Sequence, residues 1–173
     1  MERVQHTFTH RFLAELEGQG KLSAVITQNI DGLHQKAGSR RVLEVHGSIR
    51  QAHCRGCGKA YGYEATKAKV LGEKIARCDA CGGIVKPDIV FFGEAVQCLE
   101  EASGEAGRSD LFFVIGSSLT VYPAAQLPEY AGGQVVVVNQ GPMEMASPEW
   151  LRVDEAADAF FARVASFLGF AVA

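Results

Sequence analysis

Four of the five cysteines form two Cys-x-x-Cys pairs, Cys54/Cys57 and Cys78/Cys81. The twenty residues between the pairs (58 to 77) are close to the spacing of two-knuckle zinc sites. Four thiolates would complete a tetrahedral zinc shell and leave no position for water, so the pattern predicts a structural ion and not a hydrolytic one. A redox dithiol or a pair of disulfides is the alternative, and the doubled motif favours zinc over both. Cys98 lies in no motif and is expected to be an ordinary thiol.

A second group of chemically capable residues follows a short apolar segment: Gln28, Asn29 and Asp31, with Ile30 between them. Amide side chains offer both donors and acceptors, so they can hold ribose hydroxyls and a carboxamide. A helix-capping role for Asn29 or Asp31 explains the same residues equally well.

His46 stands between a predicted strand and Gly47. Imidazole is the usual general base at neutral pH, although a lone histidine at a strand end is more often structural. The triplet Gly116-Ser117-Ser118 also follows a predicted strand and suits contact with phosphate or ribose. A plain turn explains the triplet as well.

The elements that must position these residues alternate between helices and apolar strands. Apolar spacing predicts helices over 7–17 and over 154–169, the latter with Phe161 and Phe167 facing inward. Proline suits the first turn of a helix, so Pro123 predicts a further helix that begins at about 123. Continuous apolar runs predict strands over 22–27, 42–45, 111–115 and 134–138. This alternation is typical of an α/β fold whose parallel sheet is covered by helices on both faces. Ligands bind at the carboxyl ends of such strands, where 27–29, 116–118 and Asn139 lie.

Residues 48–85 differ from the rest, because they hold the paired cysteines and few large apolar side chains. Such a segment needs a metal ion or a covalent cross-link to be stable. We therefore predict a zinc module over 48–85, inserted in a domain made of 1–47 and 86–173. The net charge of -3 gives no general attraction to nucleic acid, and no apolar run is long enough to cross a bilayer. Paired cysteines read as metal ligands indicate a reducing, cytoplasmic compartment.

Taken together, these motifs resemble the sirtuin family. Residues 27–34 resemble its T-Q-N-x-D-x-L-H signature, and 44–47 resemble its catalytic-histidine segment. After the cysteine quartet, 86–94 are similar to its P-x-I-V-F-F-G-E segment, and 116–124 with Val138-Asn139 complete the set in family order.

The resemblance implies a Rossmann-like domain and an NAD-dependent deacylase, which transfers the acyl group of a protein lysine to ADP-ribose and releases nicotinamide. It implies that His46 is the general base and that Asn29 orders the catalytic site. The expected NAD-binding residues are Gln28, Asn29, Ile30, Asp31, Gly116, Ser117, Ser118 and Asn139. The expected contacts of an extended acyl-lysine peptide are Val90, Phe92, Gly93 and Val121.

The chain departs from the family pattern at its start. Sirtuins carry a strand with a Gly-Ala-Gly loop before the helix matched by 7–17, and a Pro-Asp-Phe-Arg segment after that loop. Neither is in this sequence. We therefore expect an N-terminally incomplete domain that binds NAD poorly, with unpaired strand edges that favour self-association.

Two further hypotheses remain open at this stage. One is a catalytically impaired fragment that acts as a peptide-binding or scaffold protein. The other is nucleic-acid binding through the basic residues of 48–85, which interspersed acidic residues disfavour. The substrate protein, the acyl preference and the oligomeric state are not specified by the sequence.

Overall fold

The computed structural model describes residues 4–141, 143 and 146–170. Its elements in chain order are α1 (Phe8–Gly18), β1 (Val25–Thr27), α2 (Leu33–Lys36), β2 (Val42–Glu44), β3 (Gly47–Cys54), β4 (Ala60–Gly62), α3 (Tyr63–Gly72), β5 (Val85–Ile89), α4 (Leu99–Gly107), β6 (Leu111–Ile115), the 3-10 helix η1 (Ala124–Tyr130), β7 (Gln134–Val138), β8 (Leu151–Val153) and α5 (Ala157–Phe167).

Parallel strands form two of the sheets, and the predicted α/β class is confirmed. Strand β1 pairs with β2, and β6, β7 and β8 form a second parallel sheet in that order. Successive side chains of β7 point to opposite faces. Val136 and Val138 pack against Phe12 of α1 and Phe161 of α5, whereas Val135 and Val137 pack in a separate cluster on the other side. The strand is therefore buried on both faces, as its continuous apolar run predicts.

One apolar cluster joins the two parallel sheets. Leu43 of β2 and Val45 lie in it with Ala102 of α4, Leu127 of η1 and the half-buried Phe112 of β6. Among the described residues, no strand pairs with β1 on its side away from β2, or with β6 on its side away from β7. Side-chain packing, and not a backbone ladder, therefore connects these two sheets.

The third sheet is antiparallel, in the order β4-β3-β5, and it carries the cysteine pairs. Its core cluster consists of Ala52, Cys54, Tyr61, Ala76, Cys78 and Val85. Two of the six members are cysteines of the quartet. The segment thus uses its metal-binding side chains as part of its small core, which agrees with the expected need for a metal ion or a cross-link.

Several predicted boundaries were wrong, each for a physical reason. Strand β1 begins at Val25 and not at 22, because its pairing with β2 begins at Val42. The helix expected from about 123 is the 3-10 helix η1, and Pro128 inside it cannot donate an α-helical hydrogen bond. Helix α5 begins at Ala157, and the side chain of Phe167 at its end is 90% exposed and not inward.

Helix α3, inside the cysteine segment, was not predicted, because its apolar residues do not repeat on one face; only Thr66 is buried among its residues. No helix in the described part of the chain is long and apolar enough to cross a membrane.

Candidate functional site

The turn between β2 and β3 positions His46. Its ring Nδ1 lies 3.2 Å from the backbone carbonyl oxygen of Gln28, the first residue after β1. A carbonyl can only accept a hydrogen bond, so Nδ1 carries the hydrogen in this contact. Neutral imidazole has one N–H, and the lone pair therefore resides on Nε2. In its neutral form the half-buried ring therefore has Nε2 as its proton-accepting nitrogen.

Gly47 brings the end of β5 against this histidine. Its φ is +75°, and an added Cβ would lie 1.9 Å from the carbonyl oxygen of Asp88. Only glycine fits so close a backbone approach in this conformation. As a result the N–H of Val90 donates to the carbonyl oxygen of His46 at 2.9 Å. The histidine thus joins the end of β1 to the segment that begins at Val90.

The polar residues after β1 differ in whether their side chains make hydrogen bonds within the chain. Asp31 Oδ1 accepts a hydrogen bond of 2.9 Å from the N–H of Leu33, the first residue of α2, and so fastens the turn before the helix, whose N-cap is Gly32. The side-chain amides of Gln28 and Asn29 make no hydrogen bond to any residue the structure describes; the Asn29 backbone N–H donates to Thr27 Oγ1 at 3.0 Å. Two neighbouring amides are therefore available to an external ligand.

A second polar edge lies at the carboxyl ends of β6 and β7. Ile115 and Val138 are register partners, so Gly116 and Asn139 follow neighbouring strands side by side. The N–H of Gly116 donates to the carbonyl of Val138 at 3.0 Å, and the φ of Gly116 is +60° with open space around its Cα.

Two serines continue this edge. The Ser117 hydroxyl accepts from the Leu119 N–H at 3.2 Å, and the Ser118 hydroxyl contacts the Thr120 hydroxyl at 3.0 Å. The structure thus brings together Gln28, His46 and Val90 in one group and Gly116 and Asn139 in another. No hydrogen bond between described residues joins the two groups.

The segment after β5 presents exposed apolar side chains. Phe92 is fully exposed, and Gly93 has a φ of +86°. Val121 is 44% exposed. These are the residues expected to contact an extended peptide, and their apolar side chains are open to solvent.

Hydrogen bonds made by Lys86 and Glu94, which were not predicted from the sequence, hold this exposed turn. Lys86 Nζ donates to the carbonyl of Ile89 at 2.7 Å and to Glu94 Oε2 at 2.9 Å, while the Phe91 N–H donates to the same carboxylate oxygen at 2.9 Å. The Phe91 N–H and the lysine ammonium hold the pKa of Glu94 below its usual range. Lys86 and Glu94 are present in the quoted motif, but nothing in their spacing indicated that they fasten this turn.

The cysteine quartet has the geometry of a zinc site. All four Sγ atoms lie within 4.8 Å of one another, with 3.5 Å between Cys54 and Cys81 and 3.7 Å between Cys57 and Cys78. Tetrahedral zinc with bonds of about 2.3 Å requires sulfur atoms about 3.8 Å apart, whereas a disulfide requires about 2.05 Å. The four cysteines are therefore positioned to bind one structural zinc ion, and the disulfide alternative is wrong.

Backbone groups support the two buried thiolates. The Gly56 N–H donates to Cys54 Sγ at 3.3 Å, and the Ala80 N–H donates to Cys78 Sγ at 3.4 Å. A Cβ on Gly83 would lie 3.0 Å from Cys54 Sγ, so a larger residue there would press against the sulfur atom. Cys98 is exposed and remote from this cluster in the sequence.

Sequence reasoning missed Tyr61, whose hydroxyl lies 3.1 Å from Cys78 Sγ. The ring is buried, and the hydroxyl lowers the pKa of the Cys78 thiol to about 6. Seventeen residues separate the two in sequence, and no spacing rule connects a strand tyrosine to a distant thiolate.

A pair of histidines packs beside the polar residues after β1. The rings of His10 and His34 are 4.6 Å apart between centroids. Burial, and secondarily the neighbouring His10, lower the pKa of His34 to about 4. Its Nδ1 is buried and has no hydrogen-bond partner among the described residues. His34 is therefore held in its neutral form.

Known proteins share both the sequence and the shape of this chain. Residues 1–123 match the Sir2 family. A protein described as an NAD-dependent protein deacetylase from Sulfolobus acidocaldarius is 51% identical over 134 residues, which are 75% of this chain and 53% of that protein. Another with the same description, from Thermotoga maritima, is 44% identical over 146 residues, 82% of this chain and 59% of that protein. The chain thus spans a little over half the length of these relatives.

Solved structures agree with this result. A structure described as Sir2 bound to acetylated peptide has a TM-score of 0.92 at 39% identity, covering 98% of this chain and 73% of that one. A second, of Sir2 with a p53 peptide and NAD+, has a TM-score of 0.91 at 40% identity over 96% of this chain and 72% of that one.

Proposed function

The chain belongs to the Sir2 family, and from that premise we propose that it carries the catalytic part of an NAD-dependent protein-lysine deacylase. Such an enzyme transfers the acyl group of a modified lysine to the ADP-ribose of NAD and releases nicotinamide. The whole protein's activity and substrates are part of the proposal, because the chain spans only a part of its relatives.

The contact between His46 and Gln28 is the observation that carries the proposal. In the neutral ring it places the lone pair on Nε2, where it could accept a proton from a ribose hydroxyl. The same histidine is hydrogen-bonded through its backbone to Val90, where the acyl-lysine peptide would lie. A general base placed between a ribose-binding edge and a peptide-binding segment suits this transfer and has no evident use in a purely structural turn.

The edge residues supply the proposed NAD contacts. The unengaged amides of Gln28 and Asn29 would hold ribose hydroxyls, and Asn29 would also order the catalytic site. Ile30 and the remaining carboxylate oxygen of Asp31 would line the nicotinamide pocket. On the second edge, the small and hydroxylated residues would contact the ADP-ribose side: Gly116, Ser117, Ser118 and Asn139.

The peptide is proposed to bind as an added strand between Val90–Gly93 and Val121. An extended peptide gains affinity from backbone hydrogen bonds and specificity from side-chain pockets. The exposed Phe92 and Val121 would bury apolar surface when the peptide binds. The relatives solved with acetylated and propionylated peptides support an acyl-lysine substrate class.

We also infer the division into a domain of 1–47 with 86–173 and a zinc module of 48–85. The separate antiparallel sheet and its own small core support that division. The free thiols and the zinc geometry support a reducing, cytoplasmic location, since an oxidising compartment would compete for these cysteines.

The test is nicotinamide release from NAD in the presence of an acetyl-lysine peptide. His46→Ala should abolish release beyond one equivalent per chain, because the base acts after nicotinamide has left and the intermediate cannot proceed without it. His53→Ala is the matched control. His53 lies on β3, its Nδ1 is 2.8 Å from Asp88 Oδ1, and it has no proposed catalytic role. Zinc content and circular dichroism of every variant establish that each is folded and loaded.

Release that continues beyond one equivalent in the His53 variant but not in the His46 variant would support the enzyme. Peptide binding without release, in folded and zinc-loaded protein, would instead favour the alternative of a catalytically impaired peptide-binding or scaffold protein. Release that continues beyond one equivalent in the His46 variant would refute the assignment of the base.

A further inference from the structure

The hydroxyl of Tyr61 has more polar neighbours than it has hydrogens. It lies 3.1 Å from Cys78 Sγ, accepts the backbone N–H of Asp79 at 3.2 Å, and contacts the Oδ1 atom of the Asp79 carboxylate. A phenol carries a single O–H donor. The thiolate and the carboxylate therefore compete for one hydrogen.

Two lysines make the Asp79 carboxylate a weaker hydrogen-bond acceptor in this competition. Lys59 Nζ lies 2.9 Å from Asp79 Oδ2, and Lys69 Nζ lies 4.0 Å from Oδ1. A cation beside a carboxylate draws on its negative charge and makes it a poorer acceptor for a neutral O–H. Lys59 and Lys69 thus shift the hydrogen of Tyr61 toward Cys78.

The same two lysines act on the tyrosine ring. Each Nζ lies 5.5 Å from the centroid of Tyr61, within the range of a cation–π contact. Positive charge beside the ring withdraws electron density and makes the hydroxyl a better donor. The ring effect makes the hydroxyl a better donor to either acceptor, and the ion pairing of Asp79 with the lysines then directs that donation toward the Cys78 sulfur.

The arrangement distinguishes Cys78 from its partner in the other pair. Cys54 and Cys78 each accept a backbone N–H from two residues further on. Within the described part of the chain, only Cys78 also accepts a side-chain O–H from outside the quartet. Hydrogen bonds to metal ligands fix their orientation, and their loss costs metal affinity.

We propose that Tyr61, Asp79, Lys59 and Lys69 form a charge-controlled latch on Cys78 that sets how fast the module releases zinc. Loss of positive charge at Lys59 strengthens Asp79 as an acceptor, moves the Tyr61 hydrogen from sulfur to carboxylate, and loosens the Cys78–zinc bond. The latch is independent of the proposed deacylase function, since it concerns only the zinc module.

The experiment measures zinc transfer from the loaded chain to excess 4-(2-pyridylazo)resorcinol, followed by absorbance. Tyr61→Phe removes the donor and keeps the ring, and it should accelerate release by about tenfold or more. Tyr63→Phe is the matched control, because Tyr63 begins α3 and no hydrogen bond within the described residues joins it to the quartet. Its release rate should equal that of the unmodified chain.

The lysine series separates charge from packing. Lys59→Gln should give an intermediate acceleration, because Lys69 still faces Asp79, whereas Lys59→Arg keeps the charge and should leave the rate unchanged. In an Asp79→Asn background the competing carboxylate is gone and only the effect of Lys59 on the ring remains, so Lys59→Gln should accelerate release less than it does when Asp79 is present.

Equal rates for Lys59→Gln and Lys59→Arg would overturn the charge control, and an unchanged rate in folded Tyr61→Phe would overturn the latch itself. If Tyr61→Phe does not fold, the exposed Lys59 variants decide the question alone.

Discussion

Replacing Gly47 by alanine tests the claim that a single close backbone approach holds His46 in place. Two costs add at this position. A φ of +75° costs an L-residue about 1–2 kcal/mol. The added Cβ would also lie 1.9 Å from the Asp88 carbonyl oxygen and 2.9 Å from its carbon, so β3 and β5 must separate locally. Forced displacement in a packed region costs about 1–3 kcal/mol, which gives a total loss of about 2–5 kcal/mol.

Two other glycines provide matched controls. Gly20 has a φ of +70° and no atom within 4 Å of an added Cβ, so Gly20→Ala measures the conformational cost alone. Gly72 ends α3 and has neither a positive φ nor a nearby atom, so Gly72→Ala should be neutral or slightly stabilising. Gly20→Ala therefore reports the cost of a positive φ, and Gly72→Ala reports the effect of an added methyl group alone. The difference between Gly47→Ala and Gly20→Ala reports the cost of the steric overlap.

The assay is urea unfolding of zinc-loaded protein, followed by circular dichroism, with the free energy of unfolding taken from each curve. Hydrogen exchange of the Val90 amide provides a second readout, because its bond to the His46 carbonyl should break in Gly47→Ala. A Gly47→Ala variant that is already unfolded without urea agrees with the expectation, provided that Gly20→Ala is folded. The reasoning is refuted if Gly47→Ala loses no more stability than Gly20→Ala.

Three further predictions concern the core, the pH dependence and the metal. Phe161→Ala should destabilise the chain by about 3–5 kcal/mol in urea unfolding, since the ring is 1% exposed between α1, α5 and β7; a loss below that of an exposed Phe167→Ala would contradict the packing. Because the folded pKa of His34 lies below its unfolded value of 6.5, the unfolded chain binds the proton more tightly, and the free energy of unfolding should fall by about 1–2 kcal/mol as the pH drops from 6.5 toward about 4. In His34→Gln this fall should be smaller, and a pH dependence equal to that of the unmodified chain would refute the prediction. Removal of zinc by a chelator should abolish hydrogen-exchange protection in β3 and β5 while β6 and β7 keep theirs, and equal loss in both sheets would show that the metal stabilises the whole chain.

The bounds of two strands were predictable because each strand is an uninterrupted or nearly uninterrupted apolar run. Strands β6 and β7 have the predicted bounds, since Leu111–Ile115 and Gln134–Val138 are continuous apolar runs flanked by polar residues or glycine. The start of β1 was not predictable, because its length depends on the position of its partner Val42. Pairing is a tertiary property that apolar spacing does not report.

The site was predictable to the extent that its chemistry lies in short motifs. The cysteine quartet was identified by spacing, and its sulfur atoms do meet. The contact between His46 and Gln28 was not predicted, because it depends on the parallel pairing of two strands and on a glycine at +75°. Tyr61 was missed for the same reason, since its neighbour in space is seventeen residues away in the sequence.

The seam between the two parallel sheets consists of Leu43, Val45, Phe112 and their apolar neighbours, without a backbone ladder across it among the described residues. Backbone hydrogen bonds fix alignment because they are directional, whereas apolar contact is non-directional. Side-chain packing alone therefore sets the alignment of the part that carries His46 and the part that carries Asn139. A ligand that contacts both residues would add the directional bonds that the seam lacks among the described residues.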